Sequence, residues 1–168
     1  MSLAIDEAAV RIRGIQKGLS ISEVVEFNEA GNVVSKPLPV LIKRAYPYFP
    51  KAGVAIADLP CFINQWTSPE ISYRSAVVLG NFTMHMQLLV NKVEAEADRS
   101  AAIASAFFPK IVEAFAANVK LGAWAPATVL ALRGGDPTLT VLDFAGLGFV
   151  GLDLFLDLHL NSAMEMTA

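Results

Sequence analysis

The chain of 168 residues holds a single cysteine, Cys61, and two histidines, His85 and His159. A lone thiol excludes an internal disulfide and a thiolate metal cage, so a reducing cytoplasm suits the chain. Charge is scarce as well: 17% of residues are charged, and 16 acids against 13 bases leave a net charge of −3. With no basic stripe, the electrostatic footprint of a nucleic-acid binder is missing. No uninterrupted run of about eighteen apolar residues occurs, because Asp143, Asp153 and Asp157 break the greasiest region. We therefore expect no membrane-spanning segment. Met1–Glu7 carries acids where a secretory signal carries lysines and an apolar core, so no signal peptide is expected.

What the chain has in excess is apolar surface. Hydrophobic residues make up 54% of it, and the mean hydropathy is +0.48. The length fits one domain, and a compact monomer of that size would leave much of this surface in water. Burial against further copies of the chain is the expected remedy.

The clearest pattern is Gly151 to Leu160, where leucine takes every second position. Side chains alternate across a strand, so Leu152, Leu154, Leu156, Leu158 and Leu160 point into a core. Asp153, Phe155, Asp157 and His159 take the opposite face, and Phe155 is expected to be an exposed apolar residue there. Ile5, Ala8, Ala9, Ile12 and Ile15 recur at helical spacing, with Ser2 or Asp6 as cap and Gly18 as stop. Val24–Phe27 and Val33–Ser35 flank the turn residues Ala30-Gly31-Asn32 and predict a hairpin. Pro37, Pro39, Pro47 and Pro50 predict an extended arm or loop carrying Tyr46, Tyr48 and Phe49. Those aromatics serve equally as core filling or as interface anchors.

A strand is expected within Cys61–Trp66. From Ile71 to Val90, a hairpin turning at Gly80-Asn81 and one long bulged strand both fit. Asp98–Leu121 reads as an alanine-rich helix that Pro109 kinks or splits. Thr128–Arg133 and Thr138–Phe144 surround Gly134-Gly135-Asp136-Pro137 and predict a second hairpin, and Ala145–Gly148 turns into the final strand. With no βαβ rhythm, the expected fold is α+β, an antiparallel-rich sheet with two main helices packed on one face. One domain spans residues 1–168: a helix at about 5–19, a loop or arm region at about 21–60, the sheet and second helix at about 61–160, and a short tail at 161–168.

Candidate chemistry is thin. If the strands of His85 and His159 pair, the two imidazoles and Asp157 have the types for a metal site, although alternation alone demands polar residues there. Cys61 followed by Phe62-Ile63 fits a buried small hydrophobe better than a nucleophile. Gly146-x-Gly148-x-x-Gly151 has the letters of a dinucleotide loop but precedes a strand instead of a helix. We expect no catalytic, cofactor-binding or metal residues, and no enzyme.

Taken in order, several segments resemble one family. These are the N-terminal helix, Ala45-Tyr46-Pro47 leading to Asp58-Leu59-Pro60-Cys61-Phe62, and Met84 to Val90. The alanine-rich helix Ser100–Ala117 with Leu121-Gly122, and Leu142 to Leu154 with its aromatic-Gly turn, complete the pattern. Together they resemble the tail terminators, or tail completion proteins, of long-tailed (siphovirus-type) bacteriophages. The resemblance implies a structural protein of the virion neck, assembled in the host cytoplasm. It implies a homo-hexameric ring that caps the tail tube protein and joins the head–tail connector or stopper, with DNA passing ungripped through its lumen and no cofactor or membrane. Tyr46, Tyr48, Phe49, Asp153, Phe155, Asp157 and His159 are the candidate interface. Another connector or tail subunit is the nearest alternative, and a small α+β enzyme or ligand-binding domain is the rival from a different class.

Overall fold

The computed structural model describes residues 4–48, 50, 53–67, 70–74, 77–93, 97–134, 140–144 and 146–163. Helix α1 (Ala4–Lys17) is followed by strands β1 (Ser20–Phe27), β2 (Val33–Leu41) and β3 (Arg44–Tyr46), then a short 3-10 turn at Ile56–Asp58. Strands β4 (Cys61–Trp66), β5 (Glu70–Arg74) and β6 (Val77–Lys92) precede helix α2 (Ala97–Ala117), and β7 (Ala127–Gly134), β8 (Thr140–Phe144) and β9 (Leu147–Ala163) complete the order. The fold is α+β.

Two long antiparallel strands form the spine. β6 has 16 residues and β9 has 17, roughly 50 Å each at a strand's rise. They pair from Val77↔Ala163 to Lys92↔Phe149 with an irregularity between Leu89 and Asn91. Since each occupies one edge of the other, further partners must use the outer edges. β4 and β5 both run antiparallel to β6, at Cys61↔Leu89 to Trp66↔Met84 and at Glu70↔Asn81 to Arg74↔Val77. They are therefore collinear. The same holds on β9, where β8 opposes Leu147–Gly151 and β7 opposes Leu154–Leu160. β3 adds to β4 in parallel.

This corrects the expected hairpin between Thr128–Arg133 and Thr138–Phe144. β7 and β8 pair with β9 and run in the same direction; the Gly135–Pro137 part of that reading, with residues 138 and 139, lies outside the described residues. Turn chemistry marks an interruption but does not say whether the chain reverses. Between Ile71 and Val90 neither alternative holds as stated: β5 and β6 pair antiparallel, so the chain reverses after Arg74, and β6 continues through Gly80-Asn81.

Alternation sets the core. Leu152, Leu154, Leu156, Leu158 and Leu160 are buried in one cluster with Phe82, Met84, Met86 and Leu88 of β6 and Phe62 of β4. Ala8, Ala9 and Ile12 of α1 and Ala104, Phe107, Ile111 and Phe115 of α2 belong to that cluster, so both helices cover the same sheet face. A second, smaller cluster lies on the other face: Leu59, Cys61, Ile63, Leu89, Leu142, Phe144 and Phe149. α1 is pinned to β4 through a buried amide pair. Gln16 Nε2 donates to Asn64 Oδ1 at 2.8 Å, and Asn64 Nδ2 donates to Gln16 Oε1 at 2.9 Å and to the Tyr46 carbonyl at 2.6 Å.

Further expectations need correction in whole or in part. The region at about 21–60 is not a loop or arm throughout: the expected hairpin forms as β1 and β2, and β2 runs on through Pro37 and Pro39. Its partner is β1, in a two-stranded sheet with an irregularity between Ile21 and Glu23 beside Pro37, and an edge strand tolerates missing donors. Of the two outcomes expected at Pro109, the split does not occur, since it lies inside the continuous α2; Ser105, whose carbonyl loses that donor, is exposed to water. The tail begins later than 161, since β9 runs to Ala163. One helix among the described residues, Asp98–Ala117, is long and apolar enough to cross a membrane by length and composition alone. Phe107, Ile111 and Phe115 dock it on the sheet. Asp6 sits in the first turn of α1 and does not cap it, while Ser2 lies outside the described residues.

Candidate functional site

The face of β6 and β9 opposite the helices carries Asn81, Thr83, His85 and Gln87 beside Asp153, Phe155, Asp157 and His159. Register places His85 across from Phe155, and the two rings stack at 4.6 Å with planes 6° apart. His85 Nε2 lies 2.5 Å from Asp153 Oδ1, which also accepts from Gln87 Nε2 at 3.3 Å. From β7, Arg133 sets its guanidinium 5.9 Å from the Phe155 ring centre. It donates to both oxygens of Asp157, at 2.6 and 2.8 Å, and Thr83 Oγ1 donates to the same carboxylate at 2.7 Å. The Arg133 hydrogen bonds chiefly hold the Asp157 carboxyl below the usual range, partly opposed by desolvation.

Phe155 is therefore not the bare apolar residue expected. It is half-buried between an imidazole and a guanidinium. Asp153, Asp157 and His159 are half-buried too, and His159 Nδ1 pairs with Asn81 Oδ1 at 2.9 Å. Asp153, Phe155, Asp157 and His159 of the predicted set are brought together on one face as a prearranged ladder of side chains. Arg133 and Thr83 belong to it and were missed, because each joins through strand register, which local alternation does not encode.

The aromatic segment does not form one patch. Tyr46 packs against the smaller cluster and donates to Asp58 Oδ2 at 2.8 Å, with Arg44 beside both. Tyr48 is exposed and donates to Asp6 of α1 at 2.6 Å. Phe49 lies outside the described residues. Burial first, then the Asp58 hydrogen bond, pushes Tyr46 up from 10 to about 12. A raised folded value means that the stability it contributes is complete below about pH 10 and is lost as pH rises towards 12. Tyr46→Phe should accordingly flatten the alkaline decline of stability in urea melts taken across that window. An unchanged decline would show that the other raised groups account for it: Cys61, pushed by burial to about 12, and Tyr48, raised by its hydrogen bond to Asp6.

Cys61 is fully buried and holds its proton, which removes it as a nucleophile at neutral pH. His85 and His159 share a face but stand four residues apart in register, about 13 Å along the strands, too far to share an ion. Among the described residues no cluster of three His, Cys, Asp or Glu residues is placed to hold a metal. Gly146 occupies the β8–β9 turn at φ +76°, and Gly148 and Gly151 lie in β9, so the glycine pattern opens a strand. A cleft of about 1020 Å³ lies between the β1–β2 hairpin and the first turns of α2, with Glu26, Lys36, Asp98 and Arg99 among its polar lining.

The remaining surface is notable for apolar exposure. Val25, Phe27, Val33 and Leu41 of the hairpin are exposed, as are Val112 and Val119 on and just after α2 and Leu130 on β7. No protein-family model matches the chain, and a search of curated proteins finds no match.

Proposed function

We propose that this chain is a structural subunit that works by protein–protein assembly, as the tail terminator of a long-tailed phage. In this reading a ring of copies caps the tail tube and meets the head connector. The observation that carries the assembly part is the exposed apolar surface. The leucine face is fully covered, yet large apolar side chains remain in water on the hairpin and along α2 and β7. Such surface is costly in a monomer and is used at interfaces. The phage assignment is supported by the sequence resemblance and by an element order in keeping with it: α1, a proline-bearing segment, β6, the alanine-rich α2 and the β8–β9 hairpin.

The test is incubation of the purified chain with self-assembled tail tubes, followed by sedimentation and negative-stain microscopy. We expect rings at tube ends and a halt in tube growth. A chain that stays monomeric and leaves tube length unchanged overturns the reading.

A further inference from the structure

The two edges of the β1–β2 sheet are unlike. The Asn28 N–H donates to the Asn32 carbonyl at 2.9 Å, and antiparallel pairs alternate between bonded and unbonded. Glu26↔Val34 and Val24↔Lys36 are therefore bonded pairs, whereas Glu23, Val25 and Phe27 turn their N–H and C=O groups away from β2. On β2 the same phase turns Pro37, which has no N–H, to the outer edge, with Pro39 two residues on. Proline and lysine blunt a sheet edge against further pairing. β2 carries Lys36 as well, and β1 carries neither residue. Among the described residues, the outward backbone groups of Val25 and Phe27 meet no hydrogen-bond partner.

That open edge borders a cavity. β1 packs along α2, and Val25 and Phe27 line the cleft of about 1020 Å³ to which α2 contributes the small residues Ala101, Ala102 and Ser105. Main-chain bonds along such an edge hold an extended segment, and the space beside it takes every second side chain. A sheet of two strands is marginal by itself and gains from a third. The chain contains a segment of this kind. β9 stays extended to Ala163, and Met164-Glu165-Met166-Thr167, which lie outside the described residues, alternate apolar and polar at the period of a strand. In that pattern both methionines fall on one side, and unbranched methionine fills irregular apolar space.

The segment and the cleft of one subunit stand too far apart to meet. Ala163 pairs with Val77 and Phe149 with Lys92, so the two ends of the spine are roughly 50 Å apart at a strand's rise. α2 starts five residues after Lys92, a connection of at most about 17 Å. From there Ser105 is only about 12 Å along the helix, and residues 164–168 reach about 17 Å from Ala163. Even fully stretched and in line, these lengths fall short of the spine. We propose that residues 164–168 of one copy add as a strand to the β1 edge of the next, with Met164 and Met166 in the cleft against α2. The contact rests on the assembly reading above and names its partner, a second copy of this chain. Each subunit gives one strand and takes one, so the contact runs head to tail.

Amide hydrogen exchange of the full chain, read residue by residue, tests this beside size-exclusion chromatography with light scattering. In dilute monomer Val25 and Phe27 should exchange freely, and in the oligomer at high micromolar concentration both should slow at least about tenfold. Val24 and Glu26, bonded to β2, are the reference. Met166→Asp should abolish both the oligomer and the protection. A synthetic peptide of residues 161–168 added to that variant should restore the protection without oligomers, and a scrambled peptide should not. Val25→Pro, which removes an outward N–H alone, should neither assemble nor bind the peptide; Phe27→Pro replaces it if circular dichroism shows misfolding. Oligomers in which Val25 and Phe27 exchange freely, or a peptide no better than its scrambled form, overturn the contact and leave the assembly reading standing if tubes are still capped. A wild type that is monomeric, ignores the peptide and does not cap tubes overturns both.

Discussion

Gly151→Ala should lower stability by about 3 kcal/mol, and Gly151→Val should prevent folding altogether. A Cβ at residue 151 would run into the Leu88 carbonyl oxygen, with the Leu88 carbonyl carbon at 2.9 Å and Leu142 Cδ1 at 3.1 Å. Leu88 is fully buried in the middle of β6, next to the irregularity between Leu89 and Asn91. Its backbone can withdraw only by parting β6 from β9, and that pair is the spine on which both clusters are built. The missing side chain is what lets the bulged backbone lean in. Gly14→Ala is the internal control. It lies in α1 with nothing within 4 Å of the added carbon, and a helical alanine should gain up to about 1 kcal/mol over glycine. Urea melts of both variants measure the contrast. A Gly151→Ala midpoint equal to wild type would mean that β6 yields at Leu88 and that the ribbon is softer than its packing indicates.

Breaking the Gln16–Asn64 pair is expected to have a comparable effect. Asn64→Leu strips both partners from a buried glutamine amide and leaves the Tyr46 carbonyl without its donor. Unsatisfied buried groups cost about 1–3 kcal/mol each, so a total near 3 kcal/mol is expected, with contact to the Met86 sulfur at 3.3 Å as the residual partner of Gln16 Nε2. Gln16→Leu should cost a similar amount. Their combination should fall short of the sum by at least about 1 kcal/mol, because removing both amides leaves no mutual orphan. A double-mutant cycle from denaturant melts decides this. Strict additivity would show that α1 is held by Ala8, Ala9 and Ile12 alone and that the amides do not register the helix on the sheet.

That amide pair also shows how far local pattern reaches. Gln16 continues the stripe of Ile5, Ala8, Ala9 and Ile12, and Asn64 shares a face with Phe62, so the polar residues on the buried side were visible as misfits. Their meeting was not, because periodicity assigns a face and never a partner. The leucine strand, both helices and the β8–β9 turn were legible for the same reason: each is declared by spacing within its own segment. The collinear strands, the second cluster around Phe149 and the ladder from His85 to Arg133 depend on residues tens of positions apart. β2 was misread because two prolines in nine residues argue against a strand unless its other edge is known to be open. For the candidate interface, the face of Asp153, Phe155, Asp157 and His159 was readable, whereas the cover that Arg133 and His85 lay on Phe155 was not.

The long pairing of β6 with β9 has a consequence for how the chain reaches its fold. Its partners are separated by 57 residues at Lys92↔Phe149 and by 86 at Val77↔Ala163. The leucines that floor the helix-covered core sit on β9, the last described strand in chain order. α1, the hairpin and α2 therefore have only the β3–β4–β5–β6 part of the sheet to settle on while Leu147–Ala163 is missing, and the apolar surface that β9 covers stays open until then. Non-local closure of this kind is slow, because loop entropy is spent before contacts repay it. The apolar patches of the hairpin and of α2 and β7 are thus presented to neighbouring chains in two settings, the finished subunit and the half-made one, and only the finished one has a spine to orient them.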